Sequence, residues 1–154
     1  MLAVTTYLFF KFLHVLLAIV AVGSNATYGV LLSRAAKEPE HLAHVLASVR
    51  FIDRRIANPA YGLLLVTGLT MVWLGDLSLT QFWLATALSL YVLAIVLGIV
   101  LYAPVVRAQA KALEEGGPAS AEYHRLSARG SLLGAIVGID VLVIVFLMVT
   151  KPTI

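Results

Sequence analysis

An all-α, polytopic membrane protein is what this sequence predicts: four transmembrane helices in an antiparallel bundle, with an amphipathic helix in the first long connection. Three observations carry that reading. Of 154 residues, 61% are hydrophobic and 12% charged, about half the charged share of a soluble domain. Four apolar runs approach the ~20 residues that cross the hydrocarbon of a bilayer at ~1.5 Å each. The basic residues, finally, gather in two of the three links between those runs.

The first span covers residues 7–32. No charge precedes Lys11 and the apolar run is too long for the core of a secretory signal, so it reads as a retained helix. The second span, residues 59–74, is short, so it either tilts little or begins inside the preceding helix; Asn58-Pro59 is a pair suited to cap and start it. The third covers residues 82–102 and the fourth residues 131–150. All 154 residues are expected to form one transmembrane domain.

Arg34, Lys37, Arg50, Arg54 and Arg55 follow span one, and Arg107, Lys111, Arg125 and Arg129 follow span three. The link GDLSLTQ carries only Asp76. The positive-inside rule therefore expects both long links in the cytoplasm and both termini outside, in a plasma (inner) membrane. Tyr7, Trp73 and Trp83 would form an outer aromatic belt, and Tyr61 and Tyr102 an inner one. Over residues 39–57, Leu42, Val45, Leu46, Val49, Ile52 and Ile56 recur at helical spacing. That apolar face either rests on the membrane surface or covers the end of the bundle. In the second long link, EEGGPAS breaks the helix before EYHRLSAR leads into span four.

The chain has no cysteine, which excludes disulfides, thiolate metal sites, iron–sulfur clusters and thiol catalysis. A net charge of +3, with most basic residues in the links, speaks for topology and against a nucleic-acid partner. No nucleophile–base pair, carboxylate dyad or His-Glu-x-x-His spacing is present, so local motifs assign no enzyme activity.

The ionisable groups inside the spans are the candidates for chemistry. Lys11 lies ~6 Å and His14 ~10 Å along the helix from Tyr7, three residues apart on one face. Lysine can snorkel outward, whereas the short imidazole must find a partner or a ligand inside. Asp140 lies ~15 Å before the end of span four, near mid-membrane. If helices one and four are neighbours, His14 and Asp140 would meet, either as a metal or haem ligand with a supporting carboxylate or as a proton relay. Lys11 would suit an acidic ligand group such as a propionate. Arg50, Asp53 and Arg54, at i, i+3 and i+4, read as an ion-paired surface cluster; with Arg55 they read alternatively as an anion or lipid-headgroup site.

KFLH in span one, GVLLSRA at its inner end, and RFIDRRIANPAYGLLLVTGL together resemble a pattern in small bacterial four-helix membrane proteins. These include the HemJ-type protoporphyrinogen oxidases, CopD-like proteins and, most closely, a domain-of-unknown-function family with a K-x-x-H first helix. The resemblance covers the first half of the chain. It implies b-type haem or a porphyrin bound through His14, with Lys11 beside it. Arg50, Arg54 and Arg55 correspond to the arginine-rich turn. HemJ-type proteins also use a lysine and a further histidine in or near the third helix; span three here has neither, so protoporphyrinogen oxidation does not carry over. One intramembrane histidine gives two-histidine ligation only across a homo-oligomer. The competing expectations are a small proton, ion or solute transport module using Asp140 and His14, and a non-enzymatic accessory or assembly protein.

Overall fold

A computed structural model describes residues 2–152, with side chains from Val4 onward; Met1, Thr153 and Ile154 lie outside the described residues. The described chain is all-helical. Helix α1 is Leu2–Ala35, α2 Leu42–Ile52, α3 Asn58–Leu74, α4 Phe82–Val96, α5 Ala103–Gly116 and α6 Ala121–Thr150. Two π-helical segments, Asp53–Ala57 and Leu97–Tyr102, splice α2 to α3 and α4 to α5. Four long rods result, Val4–Ala35, Pro39–Leu74, Phe82–Gly116 and Ala121–Thr150, each apolar enough to cross a membrane.

Each rod is about 45–54 Å long at 1.5 Å per residue, well beyond the ~30 Å hydrocarbon layer. The excess lies at one end, here called the base, where the two long links are. The opposite end holds the Gly75–Gln81 link, the N-terminal end of α1 and the C-terminal end of α6, and is called the hairpin end.

Both π-helical segments have the same cause. Pro59 and Pro104 stand just beyond them. A proline inside a helix lacks an N–H and crowds the carbonyl four residues earlier, and a turn widened to i→i+5 relieves the crowding without breaking the rod. The Asn58 N–H accordingly reaches the Asp53 carbonyl, and the Ala103 N–H the Gly98 carbonyl. Span two thus begins inside the preceding helix, and Asn58-Pro59 marks a widened turn within one rod instead of a helix start.

The turns follow their local chemistry. Gly117 takes φ +72° at the end of α5, a left-handed setting glycine adopts without strain. Ser120 caps α6 by accepting the Tyr123 N–H at 3.2 Å. At the hairpin end Asp76 has φ 47°, tolerable for a short polar side chain.

Helix α1 packs most extensively on α3, and α4 on α6, while α5 packs on the first half of α6. Helix α1 also touches α6, joining the two pairs. In the base, Leu42 and Leu46 of α2 are buried with Ala35, Val105, Ala112, Tyr123 and Leu126. The amphipathic segment thus lays its apolar stripe over the end of the bundle, not on a bilayer.

Two expectations need correction. Trp83 is not in a lipid-facing belt: it is 7% exposed, packed inside the bundle with the Lys151 ammonium 5.2 Å from its ring centroid. Trp73, at 80% exposed, does face outward. Tyr61 turns inward, accepting a hydrogen bond from Asn25 Nδ2 at 2.6 Å.

Candidate functional site

His14 lies on the inner side of α1 against α3. Its Nδ1 is 3.0 Å from Thr67 Oγ1. Thr67 is buried, and its hydroxyl points at its own helix backbone, 2.9 Å from Leu63 O and 3.1 Å from Leu64 O. A hydroxyl has one hydrogen and two lone pairs. With the hydrogen given to a carbonyl, Thr67 offers His14 a lone pair, and all contacts are made when Nδ1 carries the imidazole proton. Nε2 is then left with an unshared electron pair and no protein partner among the described residues.

Room for the ring comes from Gly68. A Cβ there would stand 3.5 Å from His14 Nδ1 and 3.1 Å from Cε1, the latter closer than side chains ordinarily approach. The sequence VTGLT therefore provides both the hydrogen-bond acceptor and the space, on consecutive residues of α3.

Lys11 is exposed among the outward-facing Leu8, Phe12 and Val15. It belongs to the lipid-facing side and can carry its ammonium to the interface at the hairpin end. Asp140 is 9% exposed and faces the protein, but its Oδ2 is buried with no hydrogen-bond partner. His14 and Asp140 make no hydrogen bond or ion pair with each other: the imidazole is committed to α3, while Asp140 belongs to α6. The contact considered from their similar depths is not formed.

The expected Arg50–Asp53–Arg54 ion pairing is absent as well. Asp53 is half-buried and accepts a hydrogen bond from Asn58 Nδ2 at 3.2 Å. Arg50, Arg54 and Arg55 line an open depression with Ala47 and Phe51. Among the described residues no three of His, Asp and Glu gather to hold a metal ion.

A second polar group was not apparent as a unit from the sequence. Asn25 donates to Tyr61 OH, and Tyr91 OH donates to the Tyr61 carbonyl at 2.6 Å. These bonds tie α1, α3 and α4 together on the base side of the membrane layer. Asp53 lies within electrostatic reach of Tyr28, Tyr61 and Tyr102. Tyr28, 6% exposed, is buried beside Ser24. Asp53 and Tyr102 come from the two π-helical segments, so both widened turns serve one cluster. The available signal was the recurrence of tyrosine and asparagine within apolar runs, where each hydroxyl or amide must be satisfied from another helix.

Comparison with known proteins adds one identification. No curated protein and no solved structure matches the chain. Residues 8–152 match one family model, described as predicted integral membrane protein (DUF2269). That match takes in nearly all of the first rod, the other three rods, the His14–Thr67 pair and the base, and the chain belongs to this family of integral membrane proteins.

Proposed function

We propose that this membrane protein binds a single ligand group at the Nε2 face of His14, and that the group best suited to it is a b-type haem or related porphyrin. The observation that carries the reading is the 3.0 Å contact of His14 Nδ1 with Thr67, which holds the ring still and leaves Nε2 as its electron-pair donor. Metal-binding histidines are usually fixed through the other nitrogen in this way. With no protein cluster to complete the shell of a bare ion, a macrocycle that brings its own four nitrogens fits a lone histidine. Lys11, one turn nearer the hairpin end, suits a propionate. Haem would supply one-electron chemistry; the chain's part is to hold and orient it and keep water away. Two-histidine ligation would place two copies together along α1, where Phe9, Phe12 and Leu16 are exposed.

In this reading the base faces the cytoplasm, since the unpaired arginines are concentrated there. The test is the absorption spectrum of the full chain purified from haem-supplemented cells. A Soret band that disappears in His14→Ala and survives in Arg129→Gln supports the proposal. A colourless protein, or a band indifferent to His14→Ala, overturns it.

The buried, unpartnered Asp140 oxygen favours a second reading, a proton-linked transport module. An intramembrane carboxyl without a partner takes up a proton or contacts water in a cavity. Asp140→Asn would then abolish a pH-driven flux in liposomes; an unchanged flux rejects the reading.

A further inference from the structure

We propose that Arg50, Arg54 and Arg55 bind the phosphate of an anionic phospholipid at the base-side boundary of the membrane. The three guanidinium groups lie on one short stretch and, with Ala47 and Phe51, line one open depression. Arg50 lies on α2, and Arg54 and Arg55 follow about one helical turn further on, within the π-helical turn Asp53–Ala57. The three arginines form one basic fork, with Arg54 and Arg55 on the turn that accommodates Pro59.

The charges are uncommitted. The described ion pairs join His41 to Glu40, Lys111 to Glu115 and Arg125 to Glu122; none involves Arg50, Arg54 or Arg55. Asp53, the one carboxylate on the same turn, accepts from Asn58 and lies toward the tyrosine cluster. Three exposed arginines without a counter-charge provide several N–H donors in planar forks, the arrangement that suits phosphate oxygens.

Depth decides for a lipid over a free anion. Counting 1.5 Å per residue back from Leu74, Arg55 lies ~29 Å and Arg50 ~36 Å along the rod, which spans the headgroup layer of a bilayer with ~30 Å of hydrocarbon. Ile56, 46% exposed, stands on the acyl side of the arginines, and Phe51, 63% exposed, stands among them. Free phosphate gains nothing from those side chains, whereas a phospholipid can lay glycerol and acyl carbon against them.

The experiment uses the full chain in neutral detergent, titrated with phosphatidylglycerol, phosphatidylcholine or inorganic phosphate and read by native mass spectrometry. Phosphatidylglycerol is expected to be retained in preference to both others. An arginine near an anionic lipid surface contributes about fivefold, so Arg54→Gln should weaken retention about fivefold and the triple glutamine variant at least about tenfold. Arg129 on α6 lies at about the same depth, ~31 Å from Thr150, but outside the fork, and Arg129→Gln should leave retention unchanged. If the triple variant does not fold, the comparison of Arg54→Gln with Arg129→Gln decides. Equal losses in those two variants overturn the proposal, because the attraction would then be general to basic side chains at that level. Inorganic phosphate retained as tightly as phosphatidylglycerol overturns the lipid assignment.

Discussion

On the base side of Pro59 and Pro104 the helices bury Leu42, Leu46, Val49, Val105, Tyr123 and Leu126 against one another. On the membrane side, the small or polar Ala21, Ala60, Ala87, Thr67 and Asp140 are buried alongside Trp83, Leu84, Val141 and Leu147, and large apolar residues such as Ile19, Val66, Leu69, Ile139 and Phe146 face outward. The contrast follows from the solvent on each side. Apolar burial drives association in water. Lipid offers no such gain, so helices there associate through close approach and hydrogen bonds. The base resembles a small water-soluble bundle set on a membrane bundle, and the two π-helical turns mark the border.

That comparison can be broken by making the same substitution on both sides of the border. Leu46→Ala in the base should cost the most, about 2–5 kcal/mol of stability, as for a buried leucine in a packed core. Reversible unfolding in mixed detergent measures it. A smaller but clear effect is expected from Gly68→Val, whose side chain would occupy the space of the His14 ring; overpacking of this kind costs about 1–3 kcal/mol. The same unfolding assay, with the histidine side-chain resonances as a local reporter, should show lower stability together with a displaced His14. Thr67→Val keeps the shape and removes the acceptor, and should cost about 0.6–1.7 kcal/mol, the range for interhelical hydrogen bonds in membranes. Leu69→Ala on the lipid face should change stability least, by less than about 0.5 kcal/mol, because that side chain touches lipid whether or not the bundle is assembled. A Leu69→Ala loss as large as that of Leu46→Ala would erase the distinction between the two halves.

The four rods were legible in the sequence because hydropathy reports on the one requirement every spanning helix must meet. His14 was legible because a short basic side chain deep in an apolar run needs a partner. Its partner was not, since threonine in a membrane helix ordinarily turns its hydroxyl to its own backbone, as Thr67 does, and nothing in the pattern reveals that it also receives a bond from 53 residues away. Tyr61 and Trp83 were misplaced for a related reason. Amphipathic aromatics suit both a lipid interface and an interhelical contact, and only packing distinguishes the two. Pro59 looked like a start because proline favours the first turn; the rod tolerates it by widening the turn instead, which depends on the neighbouring helices holding both flanks in line.

The measurement closest to the central claim is the nitrogen-15 spectrum of histidine-labelled, ligand-free protein in lipid nanodiscs, with the His14 resonances assigned by comparison with His14→Ala. A protonated Nδ1 and an unprotonated Nε2, reversed or mixed in Thr67→Val, is the predicted result. A proton on Nε2 in the native chain, with Nδ1 accepting from Thr67, would contradict the account, because His14 would then have no free electron pair to offer a ligand.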